Sequence, residues 1–224
     1  MEHLSNGYIL QIDEGCFPLS TDSVLLHHFV KLPKNARVLD LGSGCGTLGL
    51  LLCAKDEACC VTGIELDEAS HNCALENIHR NGLSARMSSL CADLCQYDGR
   101  GFDVCVSNPP YFAGGPAAKL TNARREDTCP TESLFVTAGK ALKYGGDFYI
   151  VHRPERLAQL CACAAKNGME AKRLQLVRHK EGGAVTLILV QFRKGAKPGL
   201  IWEELCLHHA DGNPTAEYKT IYHL

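Results

Sequence analysis

Short apolar segments alternating with stretches of helix length constrain this chain most. Arg37–Leu41 reads as a buried strand and Gly46–Ala54 as the helix after it. Cys59–Leu66 follows as a second strand, then a helix over Asp67–Arg80 that Asn81-Gly82 terminates. A weaker strand covers Arg86–Cys91, and Phe102–Ser107 is another. Past a long polar loop, Thr131–Leu142 reads as a helix, and Gly145-Gly146 turns it into the strand Asp147–His152. Pro154 opens one more helix, which ends near Gly168. Alternation of this kind specifies a parallel sheet with helices on both faces. The next two strands break the rule. Ala171–Arg178 and Ala184–Arg193 are joined by five residues, His179–Gly183, whereas a parallel crossover needs a dozen or more. This pair must be antiparallel. The expected architecture is α/β, a mostly parallel sheet closed by one antiparallel strand.

A chain of 224 residues suits a single domain over 1–224. It divides into an N-terminal segment, 1–36, a core sheet, 37–193, and a C-terminal extension, 194–224, whose Thr215–Tyr222 reads as a short helix. No apolar run approaches the roughly 20 residues that span a bilayer. The first residues lack the basic-then-apolar pattern of an export signal, so the expected location is cytoplasmic. The thirteen cysteines are scattered, without the clustered spacing of a zinc knuckle. They read as reduced thiols acting as small buried hydrophobes, and no metal is expected. Charge is uneven. Residues 1–112 carry 7 Lys+Arg against 14 Asp+Glu, whereas 113–224 carry 16 against 11. A net of −7 followed by +5 fits a polyanion met mainly by the C-terminal half, or chance distribution over solvated surfaces.

The loop after the first strand is Asp40-Leu41-Gly42-Ser43-Gly44-Cys45-Gly46. Its glycines permit a tight turn and close approach of a ligand at the carboxyl edge of the sheet. A dinucleotide fingerprint needs its third glycine at position 47, which is Thr47. An acidic residue ahead of the glycines suits a cationic ligand better than a pyrophosphate. S-adenosylmethionine brings an ammonium, a sulfonium, a ribose diol and an adenine. Asp40 suits the methionine end. Glu65, followed by Leu66, ends the second strand, where a carboxylate accepts from both ribose hydroxyls. Asp93, followed by Leu94, suits the adenine amino group. Taken singly, Asp40 and Glu65 would also serve as helix caps and Asp93 as a turn closer. Their joint placement at successive strand ends, beside a glycine loop, points to the cofactor.

Asn108-Pro109-Pro110-Tyr111 is the sharpest motif. An exocyclic amine or amide nitrogen is a poor nucleophile because its lone pair is delocalised. Two acceptors on its N–H groups draw it towards tetrahedral geometry. The Asn108 side-chain oxygen and the Pro109 carbonyl supply them. Each residue before a proline is steered to an extended conformation, which aims these carbonyls. Tyr111 offers a ring on which a planar base stacks. No strong general base is needed, since the leaving group is a neutral thioether and the proton departs after transfer.

On these motifs the chain resembles class I S-adenosylmethionine-dependent methyltransferases of the amino-methylating, Asn-Pro-Pro-Tyr type. It is most similar to the bacterial enzymes that methylate N6 of the adenosine 3′ of the anticodon in valine tRNA. Gln11, Gly15, Phe17, Thr21, Asp22, Leu25 and Leu26 at the start, Phe112 after the motif, and Gly212–Tyr218 near the end carry the closer likeness. The resemblance implies a Rossmann-like fold with a seven-stranded sheet and a tRNA substrate. It also implies that Thr21 and Asp22 lie at the cofactor, although this pair reads equally as the N-cap of a helix over Ser23–Val30. Phe112, Lys119, Arg124 and Arg125 are placed to meet RNA, the cations through phosphates; their alternative is a solvated loop. The family tends to carry Ala-Arg-His-Glu where this chain has Ala123-Arg124-Arg125-Glu126. Enzymes that methylate the glutamine of peptide release factors share the motif. They carry a helical substrate domain ahead of the glycine loop, for which the 36 residues before Arg37 leave little room.

Overall fold

A computed structural model describes residues 2–4, 7–13, 16–110 and 131–222. A short antiparallel ribbon, β1 (Glu2–His3) with β2 (Ile9–Leu10), precedes helix α1 (Thr21–Phe29). The helix begins two residues earlier than the expected Ser23, so Thr21 and Asp22 lie inside it and do not cap it. Ser20 is the cap, its hydroxyl accepting from the Ser23 N–H at 3.3 Å. The alternating core then runs β3 (Arg37–Leu41), α2 (Thr47–Lys55), β4 (Cys60–Glu65), α3 (Glu68–Arg80), β5 (Met87–Cys91) and β6 (Phe102–Ser107). Asp67 caps α3, accepting from the Ser70 N–H at 2.9 Å. The second half holds α4 (Thr131–Ala141), β7 (Leu142–His152), α5 (Leu157–Lys166), β8 (Met169–Lys180), β9 (Val185–Lys194), β10 (Ile201–His208) and α6 (Ala216–Tyr222).

Among the described residues the main sheet has eight strands in the order β10-β8-β9-β7-β6-β3-β4-β5. Only β9 runs antiparallel, against β7 on one side and β8 on the other, so the hairpin reading holds. The strand count of seven does not. β10 lies parallel to β8 and extends the sheet by one strand, so the core sheet does not stop at residue 193. Glu203 and Glu204 interrupt the apolar pattern of this segment. On the sheet they reach side chains of β8, where Arg173 Nη2 meets Glu203 Oε2 at 3.0 Å and Arg178 Nε meets Glu204 Oε2 at 3.8 Å. Leu205 and Leu207 are the residues β10 buries. β7 also starts earlier than Asp147: Leu142 pairs with Phe102, and the register then jumps so that Asp147 pairs with Val104. Gly145-Gly146 therefore lies inside a bulged strand and not in a turn.

Strand alternation divides the interior into two layers. Val38, Val104, Val106, Tyr149 and Val151 face the side covered by α1 and α2, with Leu26, Phe29, Leu50 and Leu52 packed on them. Leu39, Leu41, Cys105, Phe148 and Ile150 face the other side, with Phe135 of α4 and Leu160 of α5. Phe135 meets Phe148 and Phe192 edge-on at 5.1 and 5.2 Å. Successive strands lie to opposite sides of β3, with β4 and β5 on one and β6 and β7 on the other. A crevice opens at the carboxyl ends of strands at such a switch point.

Candidate cofactor and amino-group site

The crevice is a cleft of about 530 Å³ between the carboxyl ends of β3, β4, β5 and β6. Its floor is the turn leaving β3. Gly42, Gly44 and Gly46 take φ of 73°, 54° and 80°, a left-handed region costly for residues with a Cβ. The Gly42 and Ser43 N–H groups both donate to the Ile64 carbonyl at 3.0 Å, which binds the turn to β4. Gly63 gives the turn its room. A Cβ there would sit 2.6 Å from Ser43 Oγ and 2.8 Å from Ser43 Cβ.

Asp40 lies at the bottom, 1% exposed, and neither carboxylate oxygen has a hydrogen-bond partner. Ser43 Oγ is buried and equally unpartnered. Burial, reinforced by the Glu65 carboxylate, raises the Asp40 pKa to about 7. A buried carboxylate is tolerated where a cation or donors complete it, so this geometry asks for a cationic ligand. Glu65 is already employed: its Oε2 accepts from the Gly44 N–H at 2.8 Å and its Oε1 from the Asp67 N–H at 2.9 Å. Each oxygen keeps a lone pair for a diol, and the two bonds fix where the carboxylate points. Asp93 Oδ1 accepts from the Cys95 N–H at 2.8 Å, capping the 3-10 turn Leu94–Gln96. It thus closes a turn and lines the cleft at once.

Asn108 stands at the mouth, directly after β6. Its side-chain Nδ2 donates to Ser23 Oγ at 2.9 Å and to Ser20 Oγ at 3.4 Å. With the amide nitrogen committed to α1, the carbonyl oxygen is left as the group available to a ligand. Ser107 Oγ donates to the Leu41 carbonyl at 2.8 Å and ties the motif to the strand beside it.

Of the residues read as cofactor-binding, Asp40, Gly42, Ser43, Gly44, Glu65, Leu66, Asp93, Leu94 and Asn108 line one cleft, together with Pro109 and Pro110. Gly46 does not line it. It serves as the left-handed N-cap of α2, where a Cβ would meet Met87 Cε at 2.8 Å. Thr21 and Asp22 also stay outside the lining, because they sit in the first turn of α1 while Ser23 faces inward. Tyr111, Phe112, Lys119, Arg124 and Arg125 lie outside the described residues, as does Gly15. Phe17, which carried part of the family likeness, lines the cleft. Pro18, Ser23 and Ser70 line it without a signal of their own in the sequence; only their neighbourhood to Thr21 or to the Asp67 cap hinted at them. Among the described residues the lining holds four carboxylates (Asp40, Glu65, Asp67 and Asp93) and no lysine, arginine or histidine. Such a surface repels a pyrophosphate and attracts a sulfonium and an ammonium.

A model of the methyltransferase small domain matches residues 19–160. A protein of Bacteroides thetaiotaomicron named tRNA1(Val) (adenine(37)-N6)-methyltransferase is 30% identical over 214 residues, covering 93% of this chain and 90% of its own. One of the same name from Tolumonas auensis is 29% identical, covering 92% and 88%. Among solved structures, a predicted O-methyltransferase from Agrobacterium tumefaciens superposes with a TM-score of 0.74 at 22% identity, over 91% of this chain and 96% of that one. That likeness speaks to the fold alone.

Proposed function

The chain belongs to the methyltransferase small domain family, and from that premise we propose that it methylates N6 of an adenosine in tRNA, at the position next to the anticodon of valine tRNA. It is an enzyme that uses S-adenosylmethionine. The observation carrying the reading of its chemistry is the anchored Asn108 amide at the mouth of a cleft whose floor is an unpartnered carboxylate. When bound, the cofactor supplies an electrophilic methyl group. Asp40 and Ser43 would hold its ammonium end, Glu65 its ribose hydroxyls and Asp93 its adenine amino group, between Leu66 and Leu94.

The remaining work falls to the motif. The Ser23 and Ser20 hydroxyls hold the Asn108 amide in one orientation, so its oxygen is preset to accept an N–H from the target amine. The Pro109 carbonyl accepts the second, since the peptide before Pro110 is held extended. Together they favour the nitrogen geometry in which the lone pair is free, and a preset dipole costs no reorganisation at the moment of reaction. The proton leaves after transfer, when the nitrogen is acidic, and the lining accordingly needs no histidine.

For RNA contacts, Lys119, Arg124 and Arg125 remain the candidates, with Phe112 beside Tyr111. The positive balance of the C-terminal half is less available than its count suggests. Arg173 is paired with Glu203, Arg193 with Asp147 and Lys166 with Glu132. Among the described residues no helix is long and apolar enough to cross a membrane.

The test is transfer of labelled methyl from S-adenosylmethionine into unmodified tRNA, followed by nucleoside analysis, with a peptide release factor offered in parallel. Label recovered as N6-methyladenosine is the expected result. Label in the release factor and none in tRNA would overturn the substrate and retain the cofactor.

A further inference from the structure

Three cysteines far apart in sequence meet beside the glycine turn. Cys16 precedes the cleft-lining Phe17-Pro18, Cys45 lies within the turn between Gly44 and Gly46, and Cys73 sits on α3. Their sulfur atoms all lie within 4.8 Å of one another. Cys45 and Cys73 are buried and Cys16 half-buried, and none forms a disulfide. The surroundings hold them there. Asn77 Nδ2 donates to the Cys45 carbonyl at 3.0 Å and to the Gln11 carbonyl at 2.8 Å. The Cys73 thiol donates to the same Gln11 carbonyl at 3.3 Å. Ser70 Oγ lies 3.7 Å from Cys16 Sγ. Among the described residues no other three cysteines converge in this way, so abundance alone does not account for the cluster.

We propose that Cys16, Cys45 and Cys73 form a binding site for a soft, thiophilic d10 cation, Zn2+ or Cu+. A thiolate–zinc bond is about 2.3 Å, so three sulfurs around one ion stand roughly 4 Å apart. The observed spacing needs only a small contraction of the cluster. Soft thiolate ligands select these ions over Mg2+ or Ca2+. Binding replaces S–H protons, which pass to solvent, and no electron is exchanged. The site would also tie the segment before α1 to the turn that floors the cleft.

The experiment uses the full chain, reduced and under anaerobic conditions. Zn2+ is titrated against a chromophoric chelator, Cu+ against a Cu+-specific chelator, and Co2+ serves as the spectroscopic probe. One ion per chain is expected, with thiolate-to-Co2+ charge-transfer absorption. Cys16→Ser, on the half-buried member, should weaken binding at least tenfold and lower that band, whereas Cys91→Ser and Cys95→Ser should not. Tighter retention of Zn2+ or of Cu+ identifies the preferred ion. A second readout needs no variant: on the wild-type chain the ion should protect Cys16 from iodoacetamide and leave exposed Cys91 and Cys95 reactive. No stoichiometric binding of either ion, or alkylation of Cys16 unaffected by them, would overturn the site. So would an unchanged Co2+ spectrum in Cys16→Ser.

Discussion

Replacing Asp40 by Asn should move stability and cofactor affinity in opposite directions. In the ligand-free protein the Asp40 carboxyl has a pKa of about 7, against 3.8 for an ordinary aspartate, because it is buried and faces Glu65. Below pH 4 both the folded and the unfolded chain hold the proton, and the group costs nothing. Between pH 4 and 7 the folded state retains a proton that the unfolded state releases, so stability falls as pH rises. The shift from 3.8 to about 7 corresponds to at most about 4 kcal/mol, at about 1.4 kcal/mol per pK unit. The Asp40→Asn protein would lack that dependence, so it should gain on wild type by about 1–3 kcal/mol between pH 5 and pH 8, allowing for relaxation around the charge. Cofactor binding should respond the other way. The ammonium needs the ionised carboxylate, so wild-type affinity should climb about tenfold per pH unit below 7 and level off above it. A lost charge-assisted hydrogen bond of roughly 1.5–3 kcal/mol weakens binding about 10- to 100-fold in the variant. Urea unfolding at the two pH values and calorimetric titration with S-adenosylmethionine measure both arms. Equal pH dependence of stability in the two proteins would refute the buried carboxylate. Unchanged affinity in the variant would refute its pairing with the cofactor.

Asn108→Ala should lower turnover by roughly 100-fold or more and leave cofactor affinity nearly intact, because it removes an acceptor needed in the transition state; steady-state kinetics and a binding titration separate the two. Ser23→Ala leaves the acceptor and removes its anchor at 2.9 Å, so kcat should fall about tenfold with little change in fold, as read by circular dichroism and single-turnover rates. Gly63→Ala drives a methyl into Ser43 at 2.6 Å, and should cost about 1–3 kcal/mol of stability and weaken cofactor binding, checked by denaturant titration and calorimetry. Neutralising Arg124 and Arg125 together should weaken tRNA binding and reduce its salt slope by about two; a filter-binding series in increasing salt reads this directly, and an unchanged slope would remove both from the RNA face.

Strand ends were legible because they combine an apolar run with a break that chemistry marks. Val38 to Leu41 ends on glycines, Cys60 to Glu65 on an acid, and Phe102 to Ser107 on the motif. Parallel strands are buried on both faces and leave a continuous apolar trace. β10 left none. It is an edge strand whose middle residues, Glu203 and Glu204, are acidic, and Arg173, the partner of Glu203 on β8, lies 30 positions away in the chain. Ser23 was equally hidden, since its part in the cleft depends on a hydrogen bond to Asn108 across 85 positions.

The cysteines make the same point with more at stake. Read along the chain, Cys16, Cys45 and Cys73 have no common spacing, and a buried thiol is by default a small hydrophobe. That reading fits Cys53, Cys59, Cys105 and Cys163, which are buried in or against the two apolar layers. It fails for Cys60, Cys91, Cys95 and Cys161, which are exposed, and it is incomplete for the three that converge. What brings them together is the cleft's own construction. The turn that floors the cleft runs against α3, with Gly46 close to Ala74 of that helix, and Cys45 is carried to the helix with it. Asn77 clamps the turn to Gln11, and Cys16 reaches the same place, with its sulfur within 4.8 Å of those of Cys45 and Cys73. A metal ligand set that arises from cofactor architecture carries no local signature, because its spacing is set by the sheet order and not by a knuckle.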